Sequence, residues 1–434
     1  MKKLPLFSLI VAVTAFTAEE PKSEATNLEE AFKLATIKGE FRSVYQSNSN
    51  YNSDGSTKDI LLGGKIGFET SPLNGISVGA TFYSVNSVLS SAVKDLDYYD
   101  NADKKGYSLL GEAFAKYSFG AGEIKVGRME LDLPLINSDD IRMIPDLYTA
   151  VIASYSPLKG VKLTAGTVTQ MAGWENLSDE SKFAKLGQII RNSTGNSAVW
   201  NSFFASNNSA SDSKLYITGV TYEQDSYGLQ GWFSRQTDIM DTYYLTGSVK
   251  PYESDTISIN LMAQYMKETS IGELDSYSNQ AGNSATKIDS NIYGAAIGLE
   301  SKKTGLNGVL AYNKAGKKLG TLNDGGTSYF FGGAKDPLFT SADVETANGA
   351  GGVSAYKYQL GYDFSKIGFD GLNTTLAHAN FDKLNNQNSK ESDLIIMYEL
   401  NKQTNIAMML SKIEITGQND NNRARVFIKY GFGG

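Results

Sequence analysis

From residue 37 onward the chain is dominated by a two-residue repeat. Ile37, Gly39, Phe41 and Tyr45 share one face, with Lys38, Glu40 and Arg42 on the other. Leu62, Gly64, Ile66 and Phe68 alternate with Lys65 and Glu69, and Leu109, Gly111, Ala113, Ala115, Tyr117 and Phe119 alternate with Glu112 and Lys116. The pattern predicts about 18 strands, near 37–46, 59–69, 76–84, 106–119, 123–128, 148–155, 161–169, 214–224, 229–237, 241–251, 255–268, 289–302, 306–315, 354–364, 372–383, 391–402, 404–415 and 422–432. Before them, Asn27 to Ala35 reads as a short helix, with Asn27 as N-cap and Glu29 and Glu30 in the first turn.

Alternation alone does not separate a water-soluble sandwich from a membrane barrel, because each has one apolar and one polar face. The connections decide. Short turns such as Ser71 to Gly75, Gly120 to Gly122, Ser156 to Gly160 and Lys303 to Gly305 follow even strands. Long polar loops, 47–58, 85–105, 170–213, 269–288 and 316–353, follow odd ones, although the ninth strand ends in a short turn. One rim of tight turns and one of long loops is the layout of a membrane barrel, whose closure satisfies every backbone group in lipid. About 18 strands leave a water-filled lumen.

One stretch breaks the period. Residues 127–151 contain Pro134 and Pro145, which forbid a continuous ladder, yet carry Leu131, Leu133, Leu135, Ile136, Ile141, Met143 and Ile144. Arg128, Glu130, Asp132, Asp139, Asp140, Arg142 and Asp146 must be paired or wet. A segment needing both contact and water suits a loop folded into the wall of an aqueous channel.

Composition agrees. The 434 residues include 25 Tyr, 20 Phe, 43 Gly and only 8 Pro, at a mean hydropathy of -0.28. Lys2 and Lys3, then the almost uncharged stretch to Ala18, then Glu19 and Glu20, have the order of a secretory signal peptide, here taken as 1–18. Residues 19–35 then form a periplasmic lead-in and 36–434 the barrel. The formal charge of -7 argues against nucleic acid as a partner, and the absence of Cys excludes a disulfide framework.

The last strand places Val426, Ile428, Tyr430 and Phe432 on one face, opposite Arg425 and Lys429. This ending is similar to the assembly signal of bacterial outer-membrane barrels, from which Gly433 and Gly434 depart. Together with Gly127-Arg-Met-Glu-Leu-Asp-Leu-Pro-Leu-Ile-Asn-Ser-Asp-Asp-Ile-Arg-Met-Ile-Pro145, the strand count and the signal peptide, it makes the chain resemble the OprD-type outer-membrane porins. The resemblance implies an 18-stranded barrel in the bacterial outer membrane, with its third extracellular loop, residues 129–147, bent inward as a constriction. It also implies passive, moderately selective uptake of small water-soluble solutes, often carrying a carboxylate, with no cofactor and no reaction. On this chain it places Glu130, Asp132, Asp139, Asp140 and Arg142 in the constriction. A basic wall opposite draws on Arg42 of the first strand and Arg423 and Arg425 of the last, and strand parity agrees. Lys429 shares that parity but lies nearer the periplasmic rim.

Each assignment has a plainer reading. Asp139 and Asp140 can anchor the loop by pairing with arginines, a wet interior carries charges without a task, and anchoring and pore lining can coexist. Tyr45, Phe82, Tyr83, Phe119, Tyr155, Tyr362, Phe364, Tyr430 and Phe432 read as interfacial girdles. Asn419 to Asn422 is turn chemistry, not a cation loop. The single imidazole, His378, lacks the Ser two residues on that barrel phospholipases have, since Asn380 stands there, so no catalytic residue is assigned. No Cys or His cluster offers a transition-metal site. Partners are small solutes and outer-membrane lipid; a homotrimer is an assembly that porin walls allow. The alternative function is a surface-structural or adhesive barrel acting through loops 170–213 and 316–353.

Overall fold

Alternating residues become ladders once their backbone groups are paired, and in the computed structural model they do so around a complete circle. The structure describes residues 23–49, 57–88, 106–173, 176, 179–193, 197–327, 337–347, 349–384 and 388–433. The expected signal peptide therefore lies outside the described residues. Eighteen long antiparallel strands follow one another: β1 (Thr36–Ser49), β2 (Thr57–Glu69), β3 (Ile76–Ser87), β4 (Gly106–Phe119), β5 (Gly122–Met129), β6 (Leu147–Leu158), β7 (Val161–Ala172), β8 (Leu215–Glu223) and β9 (Tyr227–Gln236). The second half comprises β10 (Met240–Glu253), β11 (Ile257–Ser270), β12 (Asp289–Ser301), β13 (Leu306–Ala315), β14 (Ser354–Asp363), β15 (Leu372–Asp382), β16 (Ser389–Glu399), β17 (Thr404–Ile415) and β18 (Asn421–Gly433).

Closure is made by β1 and β18, which pair from Lys38 with Gly433 to Ser49 with Asn422 and set Arg42 beside Lys429. Among the described residues no helix is long and apolar enough to cross a membrane. All eighteen strands expose a large apolar residue on the outer face, from Phe41 on β1 through Val126, Leu163, Tyr243, Leu310 and Leu376 to Ile428 on β18. A band running right round the wall is what lipid requires.

The lead-in helix α1 (Leu28–Lys33) is shorter than 27–35, but Asn27 caps it as expected, its side chain accepting from the Glu30 N–H at 2.9 Å. Two parity readings are corrected. Tyr83 is not a girdle residue: its neighbour Phe82 faces out, and adjacent strand residues point to opposite faces, so Tyr83 is buried in the interior. Leu109 is also inside and Leu110 outside, because the β3–β4 pairing steps from Thr81–Glu112 to Phe82–Leu110 and leaves Gly111 as a bulge. A Cβ on Gly111 would meet the Tyr83 ring at 2.6 Å.

Loop segments enter the lumen. The β5–β6 loop turns inward through two-residue strands, Asp132–Leu133 paired with Ile136–Asn137. Its Leu131, Leu133, Leu135 and Ile136 join one apolar cluster with α2 (Leu186–Ser193) and α3 (Ala198–Ser206) of the β7–β8 loop, through Ile189, Ile190, Trp200, Phe203 and Phe204. Leu338 and Ala347 of the β13–β14 loop belong to it too. Burying each such large side chain contributes about 1.5–3 kcal/mol. Among the described residues, loops 170–213 and 316–353 thus send Ile189, Ile190, Trp200, Phe203, Phe204, Leu338 and Ala347 into the barrel, which counts against reading these loops as outward binding surfaces.

Candidate functional site

The polar part of the lumen lies along the closure seam. Arg42, on the inward face of β1 and only 1% exposed, is the centre of a clasp. Its Nη1 and Nη2 donate to the two Asp140 carboxylate oxygens at 2.7 and 3.0 Å, its Nε donates to Glu40 at 2.7 Å, and Nη1 also donates to the Arg142 carbonyl. A bidentate guanidinium–carboxylate pair fixes orientation as well as distance. From β18, Lys429 lies 3.3 Å from the same carboxylate. The Asp140 side chain nevertheless stays 38% exposed to the lumen. Burial alone would raise its pKa, but Arg42, then Lys429 and Lys65, outweigh that and hold it at about 2.

Just inside the same loop, Glu130 accepts from Lys65 of β2 at 2.7 Å and from the Tyr83 hydroxyl at 2.6 Å. Glu112 on β4 takes Thr81 at 2.7 Å and the Glu130 N–H at 3.3 Å. The loop is thus held at its start by β2–β4 and at its far end by β1 and β18. Between these, Met143 and Ile144 pack on Val44, Leu61, Val85 and Phe427. Asp139 has a left-handed backbone (φ 41) and its N–H donates to Asn137 Oδ1 at 2.9 Å, so it shapes the turn that aims Asp140. Asp132 is exposed.

A second clasp lies higher on the seam. Arg425 donates to Asp343 and, at 3.4 Å, to the Ile141 carbonyl; Arg423 and Ser411 reach the other Asp343 oxygen at 3.3 Å each. Asp343 belongs to the inward stretch 337–347. Burial acts to raise its pKa, and Arg425 and Arg423 overcome it, keeping it below the ordinary carboxylate range. Glu391 of β16 accepts from the Val344 N–H at 3.0 Å and the Glu345 N–H at 2.6 Å, and Lys383 pairs with Glu345 at 2.8 Å. Arg425 therefore ties the two inward loops together.

The structure brings Arg42, Asp140 and Arg142 together at the seam, holds Glu130 against β2–β4, and converges Arg423 and Arg425 on Asp343. The arginines do not stand as an open row: β18 places Arg425 beside Gln46 and Arg423 beside Asn48, and Arg425 is 1% exposed. Lys65, Tyr83, Glu112, Asp343, Glu391 and Lys429 were missing from the expected site. Inward parity marked Lys65, Glu112 and Lys429; nothing local marks Asp343. His378 sits on the outer wall with Leu376, its Nδ1 2.7 Å from Ser392 Oγ and its ring 5.0 Å from that of Tyr358.

The family model for outer membrane porins of the OprD family matches residues 84–433. No curated protein matches in sequence. Among solved structures, Pseudomonas aeruginosa OpdK with vanillate is 15% identical, with 92% of this chain and 99% of that chain covered at a TM-score of 0.70. Pseudomonas aeruginosa OccK8 (OprE) is 16% identical over 92% and 98%, TM-score 0.72. Acinetobacter baumannii OccAB1 is 14% identical over 94% and 99%, TM-score 0.71.

Proposed function

This chain belongs to the OprD family of outer-membrane porins, and we propose that within it residues 129–147 form the constriction that sets the size and charge preference of the pore. It is a passive channel for small water-soluble solutes; the surface-adhesive alternative is set aside. The observation that carries the constriction reading is the Arg42–Asp140 clasp, which holds the loop's far end against the closure seam while leaving part of Asp140 facing lumen water.

In this reading Asp140 anchors and lines at once. Beside it, Lys429, Lys65 and Glu130 are each about a quarter to a third exposed, so cations and carboxylates alternate around the passage. Such a ring lowers the barrier for a carboxylate through the lysines and orients a zwitterion through the transverse field. Small carboxylate-bearing solutes, amino acids among them, are the proposed cargo; the vanillate held by OpdK is of that chemical type. Arg42, Arg423 and Arg425 act mainly by positioning Asp140 and Asp343, and Arg142 through its carbonyl. No reaction is assigned. A homotrimer gains no support.

Single-channel current in a planar bilayer tests the constriction. Deleting Leu135–Met143 should raise conductance, and unchanged conductance would sink the proposal. Replacing both Arg423 and Arg425 by Ala should move the reversal potential toward cations.

A further inference from the structure

The lead-in helix α1 is tied to the short-turn rim by four contacts. Ala25 N–H donates to the Pro72 carbonyl at 2.7 Å, Ser71 N–H to Ala31 at 3.1 Å, Ser71 Oγ to Leu34 at 3.2 Å, and Gly75 N–H to Glu24 at 3.0 Å. Ala25 and Ala31 are buried on the barrel side. With that side used, the helix still shows water two large apolar residues one turn apart: Leu28 is 66% and Phe32 52% exposed. Glu29 and Lys33 pair with each other at 2.7 Å on a different face. A segment wholly in water gains nothing from this separation of apolar and charged faces.

What the apolar face continues into decides its partner. The Phe32 ring lies 6.4 Å from that of Phe68, an outward residue of β2. Phe68 sits across the ladder from Ile37, itself 58% exposed, and Phe432 of β18 lays its ring over Gly39, where a Cβ would meet it at 2.1 Å. Phe32, Ile37, Phe68 and Phe432 thus neighbour one another at the edge of the lipid-facing band at the closure seam, with Leu28 one helical turn from Phe32. Aromatic rings at the edge of such a band sit at headgroup level, and a helix with one apolar face lies in that plane.

We propose that α1 is an interfacial foot, lying on the periplasmic leaflet of the outer membrane with Leu28 and Phe32 in the headgroup–acyl boundary and fixing the depth of the β1–β18 seam. Its partner is phospholipid, recognised by apolar burial without a specific headgroup.

The absence of Cys allows a clean test. Full-length protein purified from outer membranes carries a nitroxide at Leu28→Cys, on the apolar face, or Glu29→Cys, on the charged face. It is reconstituted in phosphatidylethanolamine–phosphatidylglycerol vesicles. Collision with oxygen, which concentrates in lipid, is measured against collision with a water-soluble nickel chelate. Val126→Cys on the outer wall and Lys159→Cys in a short turn set the lipid and water references. The expected result is an oxygen-to-nickel ratio at position 28 several-fold above that at position 29 and close to the wall reference. Equal ratios near the water reference overturn the proposal, as does protection of position 28 from both colliders, which would mean a protein cover.

Discussion

Two of the loops that enter the lumen are gripped by the same seam. The β5–β6 loop offers Asp140 to Arg42 and Lys429; the β13–β14 loop offers Asp343 to Arg425 and Arg423. The difference is water. Asp140 keeps 38% of its side chain exposed, whereas Asp343 keeps 4% and has Glu391 gripping the next two backbone amides beside it. One clasp can both hold a loop and meet a solute; the other can only hold.

The largest expected effect follows from the buried clasp. Asp343→Ala strips two arginines of a buried partner, and breaking such a pair costs about 3–5 kcal/mol. The stretch 337–347 should leave the lumen, seen as higher, noisier single-channel current and faster proteolysis of that stretch. Quiet, wild-type current would show that Glu391 and the apolar contacts hold the loop alone.

Asp140→Ala should cost less, about 1–3 kcal/mol, because the carboxylate is 38% exposed and buried Arg42 keeps Glu40 as a partner. It should act mainly on permeation, moving the reversal potential toward anions as a lumen carboxylate is lost. A stability loss as large as that of Asp343→Ala would erase the distinction between the two clasps.

Acid sharpens the same contrast. With Asp140 held near pKa 2, below its ordinary 3.8, its contribution to stability is complete above about pH 4 and disappears as pH falls through 2. Asp343, also lowered, gives a loss in the same direction. Conductance recorded from pH 7 downward should therefore stay level to about pH 4 and change below it. A step between pH 5 and 6 would assign control of the loops to other groups.

The smallest effect belongs to Lys429→Ala. Its pair with Asp140 is long, at 3.3 Å, and worth under about 1 kcal/mol, so stability should hardly move while anion preference weakens slightly in reversal-potential measurements.

Much of this was legible along the chain because strand parity is a local property. Ile37 and Phe41 face lipid while Arg42 faces the lumen for the same reason that adjacent Cβ atoms alternate. Parity fails where a bulge at Gly111 resets it, and as strand neighbours Phe82 and Tyr83 cannot share a face. The inward course of the β7–β8 loop has its own local signal: Val199, Trp200, Phe203 and Phe204 are too apolar for a free external loop.

The sequence by itself determined the eighteen strands, the outward apolar band, the closure of Arg42's strand against that of Arg425, and the inward need of residues 129–147. Only the tertiary structure decided which carboxylates those arginines hold. Asp140 lies 98 residues from Arg42, and Asp343 lies 82 from Arg425. Periodicity reports the face a side chain takes, not the partner that closure and loop folding bring to it, so pairs of that separation are settled by the barrel as a whole.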